Sequence, residues 1–160
     1  MLTTGNDLTA NIRSASVVLL NARLADAVVL AAQLKHAHWN VRGRHFIALH
    51  LLFDELNAEV VLQADLLAER AAALGGIASG RLPQIVASTS LSPYPADAMT
   101  EHDHLGALAA ALTIYATLVR EAARTADQAG DLGTADVFTQ ISRAADQQLW
   151  KIEAHFGPEQ

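Results

Sequence analysis

The sequence predicts an all-α protein: a four-helix bundle whose second and third long helices are joined by a long crossover containing a short helix. Three observations carry this. Alanine and leucine dominate the 160 residues and β-branched runs are few, which favours helix over strand. Apolar residues recur at helical spacing through four long segments. The remaining stretch, Ile77 to Met99, holds Gly80, Pro83, Pro93, Pro95 and several Ser and Thr, and is too long for a simple turn between adjacent helices.

The elements follow in order. Residues 1–8 read as a tail. A first helix over 9–41 places Val17, Leu20, Leu24, Val28, Ala31 and Leu34 on its apolar side and stops near Gly43. A second over 46–74 is ended by Gly75-Gly76. Within the crossover, 77–99, Pro83 opens a short helix to Ser88. A third helix over 100–129 starts at Thr100-Glu101-His102-Asp103, a variant capping box, and carries Leu105, Leu108, Leu112, Tyr115 and Val119 as far as Gly130. The fourth, 132–155, carries Phe138, Ile141, Ala145, Leu149 and Ile152, and Gly157-Pro158 ends it. No repeat and no linker divides the chain, so residues 1–160 read as one domain.

Composition removes whole classes of function. Hydrophobic residues make up 51%, which excludes a disordered polymer. Cysteine is absent, which excludes disulfide scaffolds, iron–sulfur clusters and thiol catalysis. Net charge is -6, with no overall basic footprint for nucleic acid. No membrane span and no signal peptide is expected, so the expected compartment is the cytoplasm.

The chemistry concentrates on five residues. His38 and His50 lie equally far from residue 44, so a hairpin reversing there brings both imidazoles to one level, and Asp54 follows His50 by four on one helix face. Two imidazoles and a carboxylate suit a first-row divalent metal, iron(II) in particular where open positions remain. Asp65 and Glu69 continue the stripe: His50, Asp54, Asp65 and Glu69 fall at about 0°, 40°, 60° and 100° around the helix. Asp65 nevertheless lies roughly 16 Å along the axis from Asp54, too far to share one ion. An antiparallel copy of the helix, related by a two-fold axis near Glu59 and Val60, lays Asp65 and Glu69 of one chain beside His50 and Asp54 of the other. The same spacing also fits a stripe of solvated or hydrogen-bonded polar residues.

The run Lys35-His36-Ala37-His38-Trp39-Asn40-Val41-Arg42-Gly43, followed by Phe46, Leu49-His50 and Asp54, resembles the signature of the Dps family of ferritin-like mini-ferritins. Asp65, Glu69-Arg70 and Leu74-Gly75-Gly76 match its second half, and similarity continues through Tyr94-Pro95, Thr134-Ala135-Asp136 and Leu149-Trp150. The likeness runs from about Ser16 to Phe156. It implies a hollow shell of twelve copies. Each two-fold interface would hold a di-iron ferroxidase site, with His38, His50 and Asp54 from one chain and Asp65 and Glu69 from its partner. Fe(II) and hydrogen peroxide would be the substrates, with peroxide preferred over dioxygen. The ferric product would be stored as mineral, and DNA and cell protected from oxidative damage. Other divalent metals, Zn among them, would also fit.

The resemblance further implies a place near the site for Trp39, as packing or electron donor, and a pore formed by Asp127, Asp131 and Asp136 that admits Fe(II). Acidic residues at a helix start also serve as caps. Lys35 stands one turn before His38 and reads equally as a partner for a site carboxylate or as an exposed lysine, and Trp150 is expected in the core or an interface. The lone Glu101-x-x-His104 lies in a first turn, where capping accounts for Glu101. His36, His45, His102 and His155 read as solvated histidines. Some Dps proteins bind DNA through a lysine-rich N-terminal tail. Here the first basic residue is Arg13 and the first lysine Lys35, so direct DNA binding is expected to be weak. The alternative is a nucleoid-binding protein with minor ferroxidase activity.

Overall fold

The computed structural model describes residues 1–157. Within them lie α1 (Ala10–Asn40), α2 (Phe46–Ala73), α3 (Leu82–Ser88), α4 (Glu101–Gln128) and α5 (Leu132–Glu153), and no strand. Local chemistry sets the boundaries. Thr9 caps α1 by accepting from the Ile12 amide at 3.4 Å. Thr100 and Asp103 form a reciprocal capping box on α4. Pro83 lies in the first turn of α3, where a missing N–H costs nothing. α4 stops where Gly130, at φ 83°, turns the chain left-handed and Asp131 begins the cap of α5.

α1 and α2 form one hairpin and α4 and α5 a second; α1 also packs on α4, α2 on α5, and α3 on α1. The core lies between them: Leu20, Leu30 and Leu34 of α1, Phe53, Leu56 and Leu67 of α2, Leu108, Leu112 and Tyr115 of α4, Phe138 and Ile152 of α5, all fully buried. Each such side chain contributes about 1.5–3 kcal/mol on burial.

The crossover is tied to α1 through polar groups. Asp26, fully buried, pairs with Arg23 Nε at 2.8 Å and accepts from Thr89 Oγ1 at 3.0 Å and the Ser90 amide at 2.6 Å. Gln33 donates to the Ser92 carbonyl at 2.8 Å. A buried carboxylate with three such partners is satisfied, which fixes where the crossover runs.

α1 and α4 are each long and apolar enough, by length and composition, to cross a membrane. Here both turn leucines into the bundle core, and α1 carries the buried Arg23–Asp26 pair.

Candidate functional site

The α1–α2 reversal is made by Gly43, whose φ of 149° disfavours a side chain and whose missing Cβ leaves room for Glu101. The last turn of α1 thereby stands beside the first turns of α2. His38 and His50 stack, with ring centroids 3.7 Å apart and planes 20° from parallel. Each locks the other: His38 Nδ1–H donates to the His50 carbonyl at 2.7 Å, and His50 Nδ1–H donates to the His38 carbonyl at 2.8 Å. In neutral imidazoles this leaves the lone pair on both Nε2 atoms, the form that ligates a metal. Phe46 flanks His50 at 5.1 Å.

Asp54 sits exposed on the same side of α2 and pairs with the Lys35 ammonium. The Lys35 hydrogen bond, above all, holds the Asp54 carboxyl below its ordinary range; desolvation opposes it and the Lys35 charge reinforces it. Asp54 is therefore ionised throughout the neutral range.

Asp65 and Glu69 are exposed on the continuation of α2 and make no side-chain hydrogen bond among the described residues. Within one chain, no three His, Asp or Glu side chains of the described residues gather as a metal site. The structure thus joins His38 and His50, pairs Asp54 with Lys35, and leaves Asp65 and Glu69 farther along α2, as the helix rise requires. The α2 surface around these carboxylates is apolar: Ile47, Leu51, Val61 and Leu62 are each at least half exposed.

Several residues stand elsewhere than the sequence indicates. Asp131 is only 1% exposed. It caps α5 through the Thr134 amide at 3.0 Å, accepts from Ser16 Oγ at 2.7 Å and Thr134 Oγ1 at 2.6 Å, and pairs with Arg70 at 2.8 Å. Its carboxylate faces inward, so it is unavailable to line a pore; Asp127 and Asp136 are exposed. Trp39 is 70% and Trp150 64% exposed, so neither fills space inside its own chain. Glu101 is not the cap of α4, a role taken by Thr100 and Asp103; it accepts instead from the His45 amide at 2.5 Å. His104 is fully buried, and its Nδ1 and the Tyr94 hydroxyl share a 2.6 Å hydrogen bond. Sequence spacing gives no sign of that pair, because nothing in it brings a crossover tyrosine onto α4.

Comparison with known proteins fits this geometry. The family model described as a ferritin-like domain matches residues 17–158. The DNA protection during starvation protein of Agrobacterium fabrum is 43% identical over 152 residues, covering 95% of this chain and 94% of its relative. The chain belongs to the Dps family. Its ferritin-like fold is shared with DpsC from Streptomyces coelicolor, at a TM-score of 0.92 and 30% identity over 100% of this chain and 92% of that one. The Dps protein of Vibrio cholerae, described as a member of a broad superfamily of ferritin-like diiron-carboxylate proteins, shares the fold at a TM-score of 0.90 and 23% identity, covering 98% of each chain. Membership places this Dps chain in a family named for DNA protection during starvation.

Proposed function

We propose that this Dps protein is a ferroxidase and iron store whose active sites form between two chains. The observation that carries the reading is the reciprocal lock of His38 and His50, which leaves two Nε2 lone pairs free, with the ionised Asp54 one turn beyond His50 on α2. One chain supplies these three ligands. The partner supplies Asp65 and Glu69, delivered by a two-fold axis near Glu59 and Val60. The exposed Ile47, Leu51, Val61 and Leu62 support that axis, since apolar residues this exposed on one helix are what an interface covers.

Fe(II) is the substrate, held by imidazole nitrogen and carboxylate oxygen, and carboxylates favour the Fe(III) product further. With peroxide the reaction balances as two Fe(II), one hydrogen peroxide and two protons giving two Fe(III) and two waters. Taking both electrons at one site prevents release of hydroxyl radical, which supports peroxide as the preferred oxidant. Ferric ions hydrolyse and are stored inside a closed homo-oligomer, a dodecamer by family likeness, in the cytoplasm. Asp127 and Asp136 attract Fe(II) at a pore between chains, and Asp131 takes no direct part. Trp39, adjacent to His38 and exposed, is the nearest readily oxidised side chain by sequence and serves as an electron donor when oxidant exceeds iron.

Direct DNA binding is weak on this reading. Residues 1–12 contain no Lys or Arg, and the Leu2 amide donates to the Gly75 carbonyl at 2.6 Å, holding the chain start against the bundle. Anaerobic Fe(II) titration followed by peroxide tests the proposal. Saturable binding and rapid oxidation are expected, both lost in His50→Ala and in Asp65→Ala. Full activity in Asp65→Ala would overturn the shared site.

A further inference from the structure

Three of the seven histidines, His45, His102 and His155, line one open pocket of about 320 Å³ together with Glu101 and Phe156. The pocket lies where the α1–α2 turn meets the start of α4 and the end of α5. None of the residues assigned above to iron oxidation lines it.

Two of the rings have Nδ1 occupied by a hydrogen bond. His45 Nδ1–H donates to Glu101 Oε2 at 3.1 Å, and His155 Nδ1–H donates to the Lys151 carbonyl at 2.9 Å. In the neutral rings both Nε2 atoms then carry a free lone pair. Glu101 is itself held: its other oxygen accepts the His45 amide, and it occupies the space that a Cβ at Gly43 would take, 2.5 Å from Cδ. A carboxylate gripping the far nitrogen of an imidazole fixes ring orientation and raises ligand basicity, as around bound metals. His102 stands edge-on to Phe156 at 5.4 Å. His102 and His155 are exposed, so their rings are free to change rotamer, and among the described residues the three rings share the pocket without converging on one point.

The geometry points to a second metal site, in which His45, His102 and His155 bind one late first-row divalent ion such as Zn(II) or Co(II) through Nε2, with Glu101 orienting His45 and water completing the shell. Neutral imidazoles without a directly bound carboxylate favour such ions over hard, oxygen-preferring ones.

Co(II) titration of the assembled protein carrying both His50→Ala and Asp65→Ala tests this apart from the ferroxidase. The expected result is one saturable ion per chain with the intense visible absorption of low-coordinate Co(II). Adding His102→Ala or His155→Ala should weaken binding by at least ~10-fold. In the otherwise unaltered protein the same two substitutions should lower Co(II) stoichiometry by one per chain and leave Fe(II) oxidation unchanged. The proposal is overturned if the doubly substituted protein binds no Co(II), or if each added alanine changes affinity less than about two-fold, the behaviour of isolated surface imidazoles.

Discussion

Removing the Asp131 carboxylate should destabilise the bundle more than any exposed substitution, through groups that lie far apart in sequence. Ser16 of α1, Arg70 of α2 and Thr134 of α5 all converge on it. Asp131→Ala deletes the α5 cap, a loss of about 1 kcal/mol. It also removes the ionic partner of the Arg70 guanidinium, which keeps the Thr134 hydroxyl at 3.0 Å; breaking a fully buried pair costs about 3–5 kcal/mol. Arg70 is 23% exposed and recovers part of its hydration, so about 2 kcal/mol is the appropriate share. The sum is about 3 kcal/mol, and at roughly 2–4 °C per kcal/mol for a domain of this size the Tm should fall by about 6–12 °C. Calorimetry at fixed protein concentration reads this directly. A fall of less than about 3 °C would refute the reasoning, because the carboxylate would then be replaceable by water. The pH dependence gives an internal control. Burial works against ionisation of Asp131, but the bonds from Ser16, Thr134 and Arg70 outweigh it and lower its pKa. Its contribution is therefore complete above the unfolded value near 4 and is lost as pH falls through the lower folded value. The gap in Tm between wild type and Asp131→Ala should narrow in strong acid.

The remaining predictions concern His104 and Lys35. Burial, chiefly, and the neighbouring His36 charge lower the His104 pKa against the opposing pull of Asp103, so the folded protein holds this ring neutral. A base with a lowered folded pKa stabilises fully above its unfolded value near 6.5 and loses that stabilisation as pH falls through the window below it. Tm should therefore drop from pH 7.5 to pH 5.5 by more in wild type than in His104→Gln; equal slopes would exclude His104 as the source. Tyr94→Phe removes the hydroxyl that bonds His104 and should cost about 1–2 kcal/mol in denaturant unfolding; no loss would mean that water replaces it. Lys35 competes with metal for Asp54, so Lys35→Met should tighten Zn(II) binding in calorimetric titration. Weaker binding would show instead that Lys35 holds Asp54 in its ligating position.

Much of the fold was legible because helix signals are local. Leu20, Leu24, Leu34, Leu108 and Leu112 repeat at helical spacing and are buried as that spacing indicates. Thr100 with Asp103 and Gly130 with Asp131 mark helix ends within a few residues of sequence. The pairing of His38 with His50 was legible for a geometric reason, since two residues equidistant from a hairpin turn must meet. Long-range polar bonds were not legible. Asp131 looks the same in sequence whether it faces a pore or caps α5 against Arg70, and only the packing of α1 and α2 around it decides. Asp26 likewise gives no local sign that it will receive Thr89 and Ser90 from the crossover. Trp39 reads as packing or an electron donor and Trp150 as core or interface; each stands exposed, so apolarity alone does not tell whether a tryptophan fills its own chain's core.

Complementation between two dead chains tests the shared site most directly. His50→Ala breaks one half of the site and Asp65→Ala the other. Each homogeneous assembly should be inactive toward Fe(II) and peroxide. When the two chains are unfolded together and co-assembled at equal amounts, each mixed pair contains one intact site and one doubly broken one. Random pairing then restores about a quarter of wild-type activity. Inactivity of the mixed assembly, with both chains present in the same particles, would mean that the ligands act within a single chain and that no site is shared across the two-fold axis.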